Sequence, residues 1–124
     1  MSVRVLALAG IAALLALQLL WHGLWIPPHS TSPWLYALFF CLPLVPALWL
    51  ALRGRSTAAF AGALAALLYF SHGVMEAMSA PAERRLALAE IVLSIWVILA
   101  ASWPGLRGRF RKKTVAMEKE NRSE

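Results

Sequence analysis

The sequence predicts an all-α membrane protein with four transmembrane helices arranged as an antiparallel bundle. Three observations predict it. The 124-residue chain is 60% hydrophobic and only 15% charged, against roughly 25% charged for a soluble domain. No Asp, Glu, Lys or Arg occurs over 5–52, 56–75 or 91–106, and uncharged apolar runs of this length mark membrane spans. Prolines, glycines and short polar stretches divide those runs into segments of about 20 residues, the length that crosses ~30 Å of hydrocarbon at about 1.5 Å per residue.

The first span is expected over 5–26, ended by Pro27 and Pro28, because proline lacks the amide donor and disfavours helix in the residue before it. Arg4 followed by an apolar run has the outline of a signal peptide. The run is long, however, ends in Trp21 and Trp25, and is followed by no small-x-small cleavage site, so a retained helix is expected. After a short polar turn from His29 to Ser32, Pro33 opens the second span, 34–52, since proline is tolerated in a first helical turn. Arg53, Gly54, Arg55 and Ser56 close it, and Pro43 and Pro46 should kink or loosen it. The third span, 57–78, ends at Ser79, Ala80 and Pro81. The fourth, 82–103, carries Glu83, Arg84 and Arg85 in its first turn and should stop at Pro104 and Gly105. Residues 1–106 thus form the transmembrane domain. The remainder, 107–124, is a basic and then mixed-charge tail too poor in apolar residues to bury a core, so a flexible segment with at most some helix is expected there.

Lysines and arginines accumulate in short cytoplasmic loops. Placing the amino terminus inside leaves only Arg84 and Arg85 of the 12 basic residues facing outward, and an even number of spans makes both termini cytoplasmic. Trp25 and Trp34 then lie at the outer interface and Trp49 and Trp103 at the inner one. Arg107, Arg109, Arg111, Lys112 and Lys113 directly follow the last span, where a basic cluster attracts anionic lipid headgroups. Nucleic acid is excluded as a partner because no folded basic domain is present to position a duplex. The single cysteine, Cys41, excludes an internal disulfide and a cysteine-rich metal site. Small residues mark helix interfaces in lipid. Ala9, Ala13 and Ala16, or Ala12 and Ala16, in the first span and Ala58, Gly62 and Ala66 in the third predict close approach of those two helices.

Ionisable side chains inside a bilayer are costly and are candidates for function by default. Tyr69, His72 and Glu76 follow one another at i, i+3 and i+7 on one helix face. His72 lies about 9 Å and Glu76 about 3 Å below the outer end of that span, and Glu90 about 12 Å into the fourth. With His22 they form a candidate polar cluster in the outer half, Gln18 beneath it and Arg84 and Arg85 above. Such a set can ligate a divalent metal, relay protons or, through His22 and His72, hold a haem. Against these stands a structural role, with Glu76 and Glu90 paired to Arg84 or Arg85 and the histidines hydrogen-bonded across helices. The spacing matches no recognised metal motif, so no metal or cofactor is assigned. No nucleophile with a base, phosphate loop or soluble domain is present, and no enzyme is expected.

Trp34, the run Pro43, Leu44, Val45, Pro46, the run Tyr69, Phe70, Ser71, His72, Gly73, Val74, and then Arg85, Ala87, Glu90 and Leu93 together resemble the domain-of-unknown-function 2069 family, small membrane proteins of proteobacteria. The resemblance spans about 17–103. It implies a four-helix protein of the bacterial inner membrane and carries no activity. Two classes of function remain. One is a non-catalytic scaffold, subunit or accessory protein, with membrane lipids and a second copy or another membrane protein as partners. The other is a small homodimeric transporter or proton-coupled carrier. In size and span number the chain resembles the small multidrug resistance exporters, but Gln18 and His22 stand in the first helix, where those carry a membrane-embedded glutamate. A haem- or metal-binding protein using the outer cluster is the third alternative.

Overall fold

A computed structural model describes residues 2–26, 29 and 32–123, and among them every regular element is helical. Four helices are long and apolar enough to cross a membrane. We label them α1 (Val3–Trp25), α2 (Pro33–Leu52), α3 (Ala58–Ser79) and α4 (Arg84–Ser123).

Helix α1 starts at Ser2, whose hydroxyl accepts from the Val5 amide at 3.3 Å, a usual N-cap. It is α-helical to Leu20 and then widens into a π turn over Trp21–Trp25. The expected terminators, prolines 27 and 28, lie outside the described residues, as do 30 and 31 of the polar turn. Helix α2 carries Pro33 in its first turn and tightens to a 3₁₀ turn over Leu42–Leu44. The irregularity expected of Pro43, which brings no N–H to the helical ladder, thus takes the form of a tighter turn rather than a looser one. Its far end closes with the Gly54 amide donating to the Ala51 carbonyl and the Arg55 amide to the Leu50 carbonyl, both at 2.9 Å. Gly54 sits at φ +65°, the left-handed conformation this cap needs and glycine supplies.

Helix α4 departs from expectation. It does not stop at Pro104 but runs as one helix of 40 residues, with Pro104 inside it. A proline in a helix costs roughly 3 kcal/mol, mostly through one lost hydrogen bond and a clash with the preceding turn. The residues after it are mainly Arg, Lys, Ala, Met and Glu, all good helix formers, and Arg122 pairs with Glu118 at i, i+4 (2.7 Å). Propagation through them therefore offsets the local defect. Beyond Ala101 every described residue is exposed, so this extension packs on nothing in the chain.

α4 lies along both α3 and α1, while α2 packs on α3 and on the end of α1. All four contribute to one core of Ile11, Leu14, Leu44, Ala47, Ala65, Ala66, Tyr69 and Val97. The approach of α1 to α3 differs in its residues from expectation. Ala58, Gly62 and Ala66 of α3 are buried, but Ala9, Ala12 and Ala16 of α1 are exposed and Ala13 half-buried. The buried stripe of α1 is Ala7, Gly10, Ile11, Leu14 and Gln18. Ile11 fills the gap left by Gly62, and Gly10 leaves space for Val97 and Trp96 of α4, whose atoms lie 2.6 and 2.8 Å from where a Cβ would stand. A large side chain seated over a glycine excludes space better than two facing alanines. Leu38, Phe39, Phe60, Leu64, Leu68, Val92 and Leu99 point outward and exposed, an apolar exterior suited to lipid. Trp25, Trp34, Trp49 and Trp103 are exposed as well, and the Arg53 guanidinium lies 4.7 Å over the Trp49 ring.

Candidate functional site

The polar residues of the interior come from three helices, fully buried in α1 and α4 and partly buried in α3. In α4, Ala87, Glu90, Ser94 and Val97 are buried at helical spacing and face α1 and α3. In α1, Gln18 and His22 lie one turn apart, and the π turn that follows Gln18 aligns Trp21 and His22 inward rather than on the lipid face. The Ile26 amide reaches back five residues to the Trp21 carbonyl at 2.9 Å, the bond that defines this wider turn. In α3, His72 and Glu76 share a face, and Gly73 beside them lets α4 come close. A Cβ at that glycine would stand 3.0 Å from the Ala87 carbonyl oxygen and 3.2 Å from Glu90 Oε2.

Glu90, with no exposed surface, is the centre. Its Oε1 accepts from Gln18 Nε2, and its Oε2 lies 2.9 Å from His72 Nδ1, so one carboxylate joins α1, α3 and α4. On its other side His72 Nε2 stands 4.0 Å from Glu76 Oε1. The Trp21 indole N–H donates to Glu83 Oε2 at 2.7 Å, tying the end of α1 to the turn before α4. His22 stacks on Trp21 (5.0 Å between centroids, 15° between planes) and packs on Phe40 at 4.3 Å, with His72 6.0 Å away.

His72, Glu76 and Glu90 are thus brought together, with His22 against them by ring contact. Tyr69 takes a different place. Its hydroxyl donates to the Phe40 carbonyl, beside the 3₁₀ turn, where the tightened backbone leaves an acceptor that a regular helix would have used. The arginine pairs expected for the glutamates do not form. Arg84 Nε donates to the Ala77 carbonyl at 2.9 Å, Arg85 is exposed, and Glu90 sits too deep for either. Trp21, Glu83 and Ser94 belong to the site but do not stand out as candidates in the sequence. The signal for Ser94 is its i+4 spacing from Glu90, and for Trp21 its place one turn from Gln18. Arg107, Arg109, Arg111, Lys112 and Lys113 are all exposed along the α4 extension.

Gln18 Oε1, His22 Nε2 and Ser94 Oγ are buried without a hydrogen-bond partner among the described residues. His22, Tyr36, His72, Glu76 and Glu83 line a cavity of about 230 Å³ at the end of the molecule where α1 finishes and α4 begins. Among the described residues no three His, Cys, Asp or Glu side chains converge where a metal ion would sit. A haem fits poorly between the two histidines, because Phe40 packs on both imidazoles at 4.3 and 4.8 Å and Trp21 on both at 5.0 and 5.7 Å. What the arrangement does chemically is bridge helices and present carboxylate and imidazole groups to a small cavity.

No curated protein and no solved structure matches the chain. Residues 6–104, all four apolar segments without the basic extension, match the family model described as a predicted membrane protein (DUF2069). The chain is a membrane protein and belongs to this family of unknown function.

Proposed function

We propose that the protein is a multi-pass component of the bacterial inner membrane, both termini cytoplasmic, that works without catalysis as an accessory subunit or scaffold. The observation that carries this reading is the engagement of Glu90. Both of its oxygens are taken up by side chains of other helices, Gln18 and His72, which accounts for the most costly group in the apolar interior as interhelical glue. Function then falls to surfaces, and the surface that stands apart is the α4 extension. Beyond Ala101 it packs on nothing in the chain, which leaves its faces open to a surface beside it. Anionic headgroups at Arg107, Arg109, Arg111, Lys112 and Lys113, and a second copy or another membrane protein further out, suit its charges. The cytoplasmic orientation is supported by the basic residues: Arg4 donates to the Arg55 carbonyl at 3.3 Å, so the start of α1 and the α2–α3 turn share one end. The test is purification from the native membrane in mild detergent, with and without residues 107–124. A stoichiometric polypeptide that is lost with the extension supports the reading. A single monodisperse species with gradient-driven flux in sealed vesicles overturns it.

A second reading, a small homodimeric proton-coupled carrier, is favoured by one feature. His22 lines the cavity, and His22 Nε2, Gln18 Oε1 and Ser94 Oγ are buried polar atoms without a hydrogen-bond partner among the described residues. Flux that depends on a pH gradient and is abolished by Glu90→Gln supports it, and its absence across cationic, anionic and neutral solutes counts against it.

A further inference from the structure

The start of α1 and the middle of α4 enclose a groove of about 290 Å³, lined by Val3, Leu6, Trp96, Leu99, Ala100 and Trp103. The Trp96 ring is a fixed wall of it. Its indole N–H donates to the Leu6 carbonyl at 3.0 Å, and the ring lies over Gly10, 2.8 Å from where a Cβ would stand. Trp96, Leu99 and Trp103 stay about half exposed, so the groove opens on the exterior, which in a membrane is lipid. From Trp96 to Trp103 it follows α4 for about 10 Å and ends where the apolar span gives way to the basic extension. Charge beyond that end is one-sided: α4 has no Asp or Glu between Glu90 and Glu118, but Arg107, Arg109, Arg111, Lys112 and Lys113 all lie there. At about 3.6 residues per turn, Arg107 shares the face of the groove, four residues from Trp103 and seven from Ala100, and Arg111 follows it four residues on. Arg109 and Lys112, six and nine residues from Trp103, fall on other faces.

A tryptophan at the rim of a lipid-facing groove sits at headgroup level, and guanidinium groups pair with phosphate oxygens in a two-pronged fork. We propose that the groove binds one anionic phospholipid, an acyl chain lying against Val3, Leu6, Leu99 and Ala100 and the phosphate held by Arg107 and Arg111. The headgroup supplies the negative charge that the unopposed arginines lack, and the chain fills a space with no polar wall to satisfy. A second copy of α4 suits the groove less well. Close helix packing in lipid needs small residues, whereas Trp96, Leu99 and Trp103 hold a cylinder ~10 Å across away from its floor. The inference rests on the headgroup contact proposed for the extension and deepens it, giving that contact a position and a chain as well as a charge. It depends neither on the accessory role nor on which way the chain faces.

The test titrates the full chain in mild detergent with phosphatidylglycerol and reads the retained lipid by native mass spectrometry, after equilibration at about 0.15 M salt, where charges beyond ~8 Å are largely screened. One phosphatidylglycerol per chain is expected, held about tenfold or more tighter than phosphatidylcholine with the same acyl chains, and glycerol 3-phosphate, which lacks a chain, should not displace it. Arg107→Gln with Arg111→Gln should weaken phosphatidylglycerol by at least about tenfold, and Ala100→Phe, which fills the groove, should weaken both lipids by a similar factor. Arg109→Gln with Lys112→Gln removes the same charge from other faces and should change binding by less than about threefold. The proposal is overturned if phosphatidylcholine binds as well, if the two charge pairs weaken binding alike, or if the chain runs as a dimer that retains no lipid. Loss with the arginines but not with a folded Ala100→Phe also overturns it, yet leaves the headgroup contact of the extension standing. The comparison of lipids in the unaltered protein, and of the two exposed charge pairs, decides the matter even where Ala100→Phe fails to fold.

Discussion

Glu90 is the residue on which the interior depends. In hydrocarbon a hydrogen bond between helices contributes about 0.6 kcal/mol on average and at most about 1.7, because the alternative state also finds partners. Leaving a buried donor unmatched costs more, about 1–3 kcal/mol. Glu90→Ala strands both Gln18 Nε2 and His72 Nδ1, so a loss of about 2–3 kcal/mol is expected in equilibrium unfolding in mixed micelles. Glu90→Gln keeps one acceptor oxygen and should lose only about 1 kcal/mol. The two glycines at the other extreme of packing give a paired check. Gly73→Ala puts a methyl 3.0 Å from the Ala87 carbonyl and should destabilise by about 1–3 kcal/mol, since two backbones cannot both yield. Gly105→Ala meets nothing within 4 Å and should be neutral or stabilising by up to about 1 kcal/mol. If the thermal midpoints of these two variants moved alike, close approach at Gly73 would not be what sets the α3–α4 spacing.

At the scale of elements, two irregularities place the site: the π turn of α1 and the 3₁₀ turn of α2. The second is sustained by Tyr69, whose hydroxyl accepts no role in the acidic network and instead holds the Phe40 carbonyl. Tyr69→Phe should therefore cost about 1 kcal/mol and speed hydrogen exchange in the first half of α2, without altering His72 resonances. The extension of α4 behaves oppositely, as an element that touches nothing. Deleting 107–124 should leave the unfolding midpoint of the apolar domain within about 0.5 kcal/mol of the parent. A larger drop would mean that the extension folds back on the domain. Span positions are legible in the sequence because charge and proline punctuate the apolar runs at Arg4, Pro33, Arg53 and Pro81. The passage of α4 through Pro104 is not legible, since one proline is a stop or a tolerated defect depending on how strongly the following residues favour helix.

Across the whole molecule, His72, Glu76 and Glu90 are recognisable as a set because ionisable residues are so rare in the apolar runs. Their partners are not, because pairing depends on the rotation of α1. The π turn that buries Trp21 and His22 has no clear mark in the sequence, and the alanine stripe of α1 points to the wrong face. The proposed orientation is open to direct labelling: with Cys41 buried, Ala82→Cys should react with a membrane-impermeant maleimide added outside intact cells, and Phe110→Cys only after lysis. The reverse pattern would invert the topology. The Glu90 carboxylate joins three helices, and a double-mutant cycle between His72 and Glu90, read as unfolding free energy, measures that link. A coupling of about 0.6–1.7 kcal/mol is predicted. Additive effects, or single variants as stable as the parent, would contradict it.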